Sequence, residues 1–136
     1  MQRSFDLNWL SHRLYTDSFD VGGHEWRLLS FISKSSSSHG DQLSLYLDSP
    51  KAAVFPQNMN PTAEFTLKLI NQLDEARSFQ KDSRHRFSAR EVDWGFRQFF
   101  SLEEIEDTTK GWLREDNHIE IQCSIRIIYK KLLRAT

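Results

Sequence analysis

Residues 118–128, from His118 to Ile128 (HIEIQCSIRII), alternate between apolar and polar side chains. A period of two over this length is typical of an antiparallel strand that buries one face. The same alternation recurs in Gln42–Asp48 (QLSLYLD) and in Glu64–Asn71 (EFTLKLIN). These three stretches therefore predict a domain built mainly from half-buried strands.

Shorter apolar runs predict further strands, separated by turn-forming residues. They are Phe5–Leu7, Ser18–Val21, Trp26–Ile32 and His85–Ser88. Short strands at this spacing favour an all-β antiparallel sandwich over a parallel sheet. One short helix is predicted near residues 101–107, because Ser101 and Glu104 have the spacing of a capping box.

Composition limits the classes of partner. The length of 136 residues predicts a single domain. The balance of 18 basic and 19 acidic side chains argues against nucleic acid or an anionic membrane surface as the main partner. A single cysteine cannot form an internal disulfide, which favours a reducing compartment. No apolar stretch approaches the ~20 residues that a membrane span needs. We therefore expect a soluble protein of the cytoplasm or nucleus.

Motifs for catalysis and metal binding are not found in the sequence. The five histidines are scattered, and none has metal-ligand spacing to a cysteine or a carboxylate pair. Cys123 falls on the apolar face of residues 118–128, where a buried thiol is the ordinary interpretation. We expect no cofactor, no metal and no enzymatic activity of this chain on its own.

An aromatic cluster interrupts the alternating pattern. Asp93-Trp94-Gly95-Phe96 is followed by Phe99-Phe100, and this run does not fit a simple alternating strand. Phe99 and Phe100 are expected in the core, and Gly95 permits a bulge or a close backbone approach. For Trp94 and Phe96, core packing and the wall of a groove both remain open. The outward position predicted for Tyr46 favours a groove for an extended peptide.

An ordered series of short motifs carries a resemblance to a known family. They are Leu14–Phe19 (LYTDSF), Val21-Gly22-Gly23, Trp26-Arg27, Leu43–Leu47 (LSLYL), Asn71-Gln72, His85-Arg86-Phe87, Asp93–Phe96, Asp107, Gly111-Trp112-Leu113 and Asp116. The chain resembles the MATH domain, also called the TRAF-homology domain, over nearly its whole length. Residues 77–100 are most similar to the N-terminal MATH domains of ubiquitin-specific proteases of the herpesvirus-associated type and their plant relatives.

The resemblance implies a fold and a set of site residues. It implies an eight-stranded antiparallel β-sandwich forming one domain over residues 1–136, with a core at 5–129 and a tail at 130–136. Such domains bind short, often serine-containing peptide motifs in a shallow groove. By position, the groove residues are Tyr46, Phe65, His85, Asp93, Trp94, Gly95, Phe96 and Arg97.

Physical roles follow for these residues. Trp94 and Tyr46 would supply flat walls, and Phe96 the floor of a pocket. Asp93 would accept a hydrogen bond from a peptide serine or amide. Gly95 would let the peptide backbone approach closely, and Arg97 would hold a polar or acidic flank. His85 stands where some relatives carry tyrosine, so the peptide preference is expected to differ.

The resemblance implies substrate recognition for a ubiquitin-pathway protein, and we expect a deubiquitinase whose protease activity lies on a longer parent chain. A MATH domain of a BTB-type ubiquitin-ligase adaptor is one alternative. A structural or oligomerising TRAF-like scaffold is another, although it normally requires an upstream coiled coil and no heptads precede Phe5. The isolated domain is expected to be a monomer.

Overall fold

A computed structural model of the chain describes residues 1–35, 40–56 and 60–129. Over these residues the strands are β1 (Gln2–Asp6), β2 (Leu14–Tyr15), β3 (Phe19–Val21), β4 (His24–Ser33), β5 (Gln42–Asp48), β6 (Thr62–Leu69), β7 (Phe79–Arg86), β8 (Asp93–Ser101) and β9 (His118–Ile128). The described residues also form one α-helix, α1 (Leu102–Glu106), and two short 3-10 helices, Leu7–Trp9 and Glu75–Arg77. The predicted tail at 130–136 lies outside the described residues.

Two antiparallel sheets pack face to face, which confirms the predicted sandwich. The β9 sheet has the strand order β1-β9-β6-β7, and the β8 sheet has the order β2-β4-β5-β8 with β3 paired to β4. The short segments β2 and β3 bring the strands of the described residues to nine, where the resemblance implied eight. Strands β7 and β8 are therefore edge strands, with β1 and β2 at the other ends of the two strand orders.

The alternating stretches form the centre of the fold. β9 lies between β1 and β6, and Leu67 and Cys123 are opposed across the β6–β9 pair. Both side chains are buried, as the period of two predicts. Between the sheets, the rings of Trp26 and Phe87 meet edge to face at a centroid distance of 5.0 Å. The Trp26 indole donates a hydrogen bond to the carbonyl oxygen of Val21 at 3.1 Å.

Three strands differ from the sequence prediction. The strand predicted at Phe5–Leu7 is Gln2–Asp6 in the structure, and Leu7 begins a 3-10 helix. β7 covers Phe79–Arg86, so the predicted strand at His85–Ser88 is wrong in all but its first two residues. Its sequence FQKDSRHR is mostly polar because an edge strand exposes much of its surface. β8 is a nine-residue strand that contains the whole aromatic cluster, and its register against β5 shifts between Leu43 and Leu45. This shift in register explains why apolar and polar residues do not alternate regularly along the sequence of β8.

The predicted helix is present. α1 begins after Ser101, whose hydroxyl accepts a hydrogen bond from the Glu104 amide at 3.4 Å, and Ile105 is fully buried. The helix follows β8 directly and so fixes the end of that strand in the sandwich.

Candidate functional site

The candidate site is organised by the edge strand β8. Its pairing with β5 opposes Trp94 to Leu47 and Phe96 to Leu45, and opposes Gly95 to Tyr46. Residues opposed across an antiparallel pair project from the same face. Because Leu45 and Leu47 are fully buried, Trp94 and Phe96 project from the core side of the sheet. The predicted site is therefore divided between two faces of one strand.

Trp94 lies on the side of the sandwich where the edge strands β7 and β8 meet, a region called here the flank. Its side chain remains 41% exposed because no further strand of its own sheet lies beyond β8 among the described residues. The indole stacks on the His85 ring of β7 at a centroid distance of 4.2 Å and an interplanar angle of 4°. His85 is itself buried and has its Nε2 atom 3.1 Å from the Glu91 carbonyl oxygen. The stacking contact with His85 thus fixes the orientation of the Trp94 ring.

Gly95 is required by the pairing of β8 with β5. A Cβ atom at this position would lie 2.6 Å from the Tyr46 Cα and would collide with the carbonyl oxygen of Leu45. Both obstacles are main-chain atoms, which cannot move without disturbing the sheet. The glycine therefore serves the close approach of two strands, whereas the sequence analysis assigned that close approach to a peptide.

The outer side of the β8 sheet carries a second group of residues, called here the aromatic face: Arg13, Phe31, Tyr46, Asp93 and Arg97. The rings of Phe31 and Tyr46 stack at 5.8 Å with an interplanar angle of 16°. The Arg13 guanidinium lies 5.3 Å from the centroid of the Phe31 ring. Arg97 donates from Nε to the Ser33 hydroxyl at 3.0 Å. Tyr46 and Arg97 thus lie on a continuous surface with two residues that the sequence analysis missed.

Carboxylates shape the electrostatics at the N-terminal end of β8. Asp48 and Asp93 are opposed across the β5–β8 pair, and Asp48 forms an ion pair with Arg27 at 2.6 Å. Among the described residues, no donor forms a hydrogen bond or ion pair with the Asp93 carboxylate. Burial raises the pKa of the Tyr46 phenol and Asp93 raises it further, while Arg97 and Arg13 oppose that shift. The Asp93 carboxylate is thus available to a ligand.

Phe96 and Lys81 limit the flank at its far end. Phe96 is partly buried and packs on the core. The Lys81 ammonium of β7 lies 5.4 Å from the Phe96 ring and donates to the carbonyl oxygen of Gln98 at 2.9 Å. The hydrogen bond from Lys81 to Gln98 joins the edge strands β7 and β8 at this end of the flank. The solvent-exposed part of the flank therefore lies around Trp94. A cavity of about 480 Å³ adjoins it, lined by Tyr46 and residues 90–95.

Phe65 is a correction to the predicted site. It lies on β6 of the β9 sheet, and its side chain is 2% exposed. Its ring packs in the core, 6.2 Å from Phe87. The alternation of EFTLKLIN directs Phe65 inward, so its side chain is not on the surface with the other residues. We therefore remove Phe65 from the candidate site.

Sequence reasoning missed Phe31, Arg13 and Lys81. A signal for Phe31 was present, because it lies on the predicted strand Trp26–Ile32 and alternates with the buried Leu28 and Ser30. An outward aromatic on that strand is the counterpart of Tyr46 on β5. Arg13 and Lys81 left no comparable signal, since their positions depend on which strands become neighbours.

Metal-ligand clusters and the single cysteine were the sequence features with a possible chemical role. They contain no cluster of three or more His, Cys, Asp or Glu side chains suited to a metal ion. Burial raises the pKa of the Cys123 thiol to about 12, which disfavours the reactive thiolate. Within the same ranges, no helix combines the length and apolar character needed to span a membrane.

Comparisons with known proteins agree with this architecture. The model of the MATH domain family matches residues 4–125. Ubiquitin C-terminal hydrolases 13 and 12 of Arabidopsis thaliana are 39% and 38% identical to this chain over 88% and 82% of its length. The chain spans about a tenth of the length of these two relatives. The solved structure of TRAF5 from Notothenia coriiceps shares the fold with a TM-score of 0.56 at 14% identity, over 89% of this chain and 65% of that one.

Proposed function

The chain belongs to the MATH domain family, and we propose that it binds short, serine-containing linear segments of partner proteins along the β8 edge. The single observation that carries this proposal is the half-exposed Trp94 held flat on His85 at that edge. A large aromatic fixed in its orientation loses little conformational freedom on binding, and such residues dominate the energy of interfaces.

The edge of β8 supplies the second element of recognition. In an edge strand, alternate N–H and C=O groups point away from the neighbouring strand and accept an added strand. A peptide in extended conformation would pair there and place alternate side chains on the two sides of β8. One side meets the Trp94 flank and the other meets the aromatic face. Lys81 bounds the interaction beyond Phe96 because it already occupies the Gln98 carbonyl.

Serine recognition is assigned to Asp93. Its carboxylate has no donor among the described residues and faces the same side as Tyr46. A peptide hydroxyl would give it a charge-assisted hydrogen bond, which is worth more than a bond between neutral groups. Tyr46 offers an aromatic wall beside it.

The biological role is proposed from the hydrolase relatives. Two ubiquitin C-terminal hydrolases match this chain over about a tenth of their own length. A domain of this size within such a protein is suited to select substrates, while hydrolysis takes place elsewhere on the polypeptide. We therefore assign to this chain the recognition of partner proteins in the ubiquitin pathway, in the cytoplasm or nucleus.

A titration with peptides tests the proposal. The isotope-labelled domain is titrated with a small library of serine-containing peptides, and amide shifts are followed by heteronuclear NMR. Binding is expected to shift Tyr46 and residues 93–97 together, with smaller changes on β9. Shifts confined to the β9 sheet, or none at millimolar peptide, would reject this site and its function.

A further inference from the structure

An exposed apolar loop follows β5. Residues 52–56 have the sequence AAVFP, in which Ala53, Val54 and Pro56 are exposed and Phe55 is half-buried. Val54 is 78% exposed. Single exposed apolar side chains are ordinary on a protein surface, but a consecutive run is disfavoured unless it contacts a partner. This loop is therefore a candidate docking surface.

Beside the loop lies a cavity of about 480 Å³, called here the turn cavity. It is lined by Phe55, Asn60, Ser88, Ala89 and Arg90. The last three residues belong to the turn that joins β7 to β8. Arg90 also lines the cavity next to Trp94, so the two cavities adjoin at Arg90. The turn cavity is thus continuous with the surface proposed for the peptide.

Local contacts hold both sides of the turn cavity. Two main-chain hydrogen bonds of 3.1 and 3.2 Å join Ser88 to Glu91, and the Ser88 hydroxyl accepts a further bond from the Glu91 amide at 3.3 Å. On the loop side, the Phe55 ring meets the His24 ring edge to face at a centroid distance of 5.9 Å. Walls that are already restrained lose little conformational freedom when a side chain enters between them.

We propose that the turn cavity binds an apolar side chain of the partner peptide. Because the turn precedes β8, this second anchor lies beyond Asp93, on the side opposite to Phe96. The inference rests on the proposed function and adds to it a preference at a position distant from Trp94. The Phe55 ring, the Ala89 methyl group and the methylene groups of Arg90 supply apolar surface that the incoming side chain would cover.

A charged side chain suits the turn cavity less well than an apolar one. Arg90 would repel a lysine or arginine of the peptide. Glu91 closes the same turn, and its carboxylate would repel an acidic side chain. Neighbouring charges of opposite sign therefore favour neither sign in the ligand, whereas a neutral apolar side chain is excluded by neither.

The test uses the serine-containing peptides of the titration described above. At each position on either side of the serine, versions with Leu, Gln, Glu or Lys are compared by fluorescence anisotropy. The domain is expected to bind the Leu version about ten-fold more tightly than the Gln version at one position, the effect of half-burying a leucine side chain. Ala89→Asp is expected to abolish that preference because it places a charge in the cavity, and the fold should persist because Ala89 is exposed.

Ala76→Asp is the matched control. It adds the same charge at another exposed alanine, in the 3-10 helix before β7, whereas Ala89 follows β7. The Leu preference should survive in this variant, and its loss there would overturn the inference. Peptides that bind without a Leu preference, that bind more tightly with Glu or Lys, or whose Leu preference survives Ala89→Asp would overturn this inference alone. If no peptide binds, the proposed function and this inference both fall.

Discussion

The outer faces of the two sheets differ in how their polar groups are satisfied. On the β9 sheet, Glu64 pairs with both Arg84 and Arg126, and Thr66 donates to Asp82 at 2.6 Å. These residues line a depression of about 550 Å³ that we call the polar face. On the aromatic face of the β8 sheet, Asp93 and Arg13 lack such partners among the described residues.

We propose that this difference separates a solvated surface from a binding surface. The polar face is wide, yet its charges already neutralise one another, so a ligand there would have to replace existing contacts. The aromatic face carries aromatic rings and charged groups that form no ion pair among the described residues, and these groups would gain partners when a ligand arrives. By this criterion, charged groups that lack an ion-pair partner among the described residues, more than the size of a depression, mark the proposed site. The following changes test that conclusion.

Gly95→Ala is expected to have the largest effect, because it separates β8 from β5 and so dismantles the aromatic face. The new methyl group would strike the main chain at Leu45 and Tyr46. We expect the free energy of unfolding to fall by about 2–4 kcal/mol in a denaturant titration. Gly23→Ala is the control, since a Cβ there meets nothing within 4 Å and only its φ of 79° is unfavourable. A smaller loss for Gly95→Ala than for Gly23→Ala would contradict the steric argument.

Trp94→Ala is expected to abolish peptide binding while leaving the fold largely intact. The indole is 41% exposed, so its removal leaves little cavity in the core, whereas a central aromatic anchor is worth about 2–4 kcal/mol of binding. Anisotropy measures the loss, and circular dichroism verifies the fold. Trp9→Ala removes a more exposed indole, at 64%, and should bind peptides normally. An unfolded Trp94→Ala domain would place this residue in the core instead.

The central part of the fold was predictable because burial leaves a periodic trace in the sequence. β9 and β6 bury alternate side chains, and the three leucines of β5 alternate in the same way, although Ser44 and Asp48 on its other face are also buried. β7 was misplaced because an edge strand with the sequence FQKDSRHR has too few apolar residues for such a trace. The irregular register of β8 against β5 concealed the period of that strand in the same way.

The site was predictable only in part, for a related reason. The motif Asp93–Phe96 lies on β8, the strand of the candidate site, but a linear motif does not state that Trp94 and Gly95 face opposite sides of that strand. Phe65 was included by position although its own alternation directs it into the core. Arg13 joins the site through pairing between β2 and β4, and such long-range neighbours leave no local signal.

Asp93→Ala is expected to weaken binding of serine-containing peptides by about 1.5–3 kcal/mol, the range for a hydrogen bond to a charged group. Isothermal calorimetry on wild type and variant gives the difference. Asp82→Ala removes a carboxylate from the polar face and should leave the affinity unchanged. An unaltered dissociation constant in Asp93→Ala would remove this residue from the site.

The same variant has a readout that needs no ligand. Asp93 raises the pKa of Tyr46, because its negative charge disfavours the phenolate. Removing Asp93 should therefore lower the pKa of Tyr46, and Arg97→Gln should raise it, as followed by NMR of the tyrosine ring carbons during an alkaline titration. A pKa of Tyr46 that does not respond to either change would show that these charges do not share one face.

Glu64→Gln is expected to have the smallest effect and tests the polar face directly. The carboxylate pairs with Arg84 at 3.4 Å and Arg126 at 2.7 Å, but all three side chains are exposed to solvent. Water and salt screen such pairs, so the free energy of unfolding should change by less than about 1 kcal/mol. Peptide affinity should not change, because the substitution lies on the opposite sheet. If Glu64→Gln instead weakened peptide binding as strongly as Asp93→Ala, the polar face would be part of the interface, and self-satisfied charges would no longer distinguish the two surfaces.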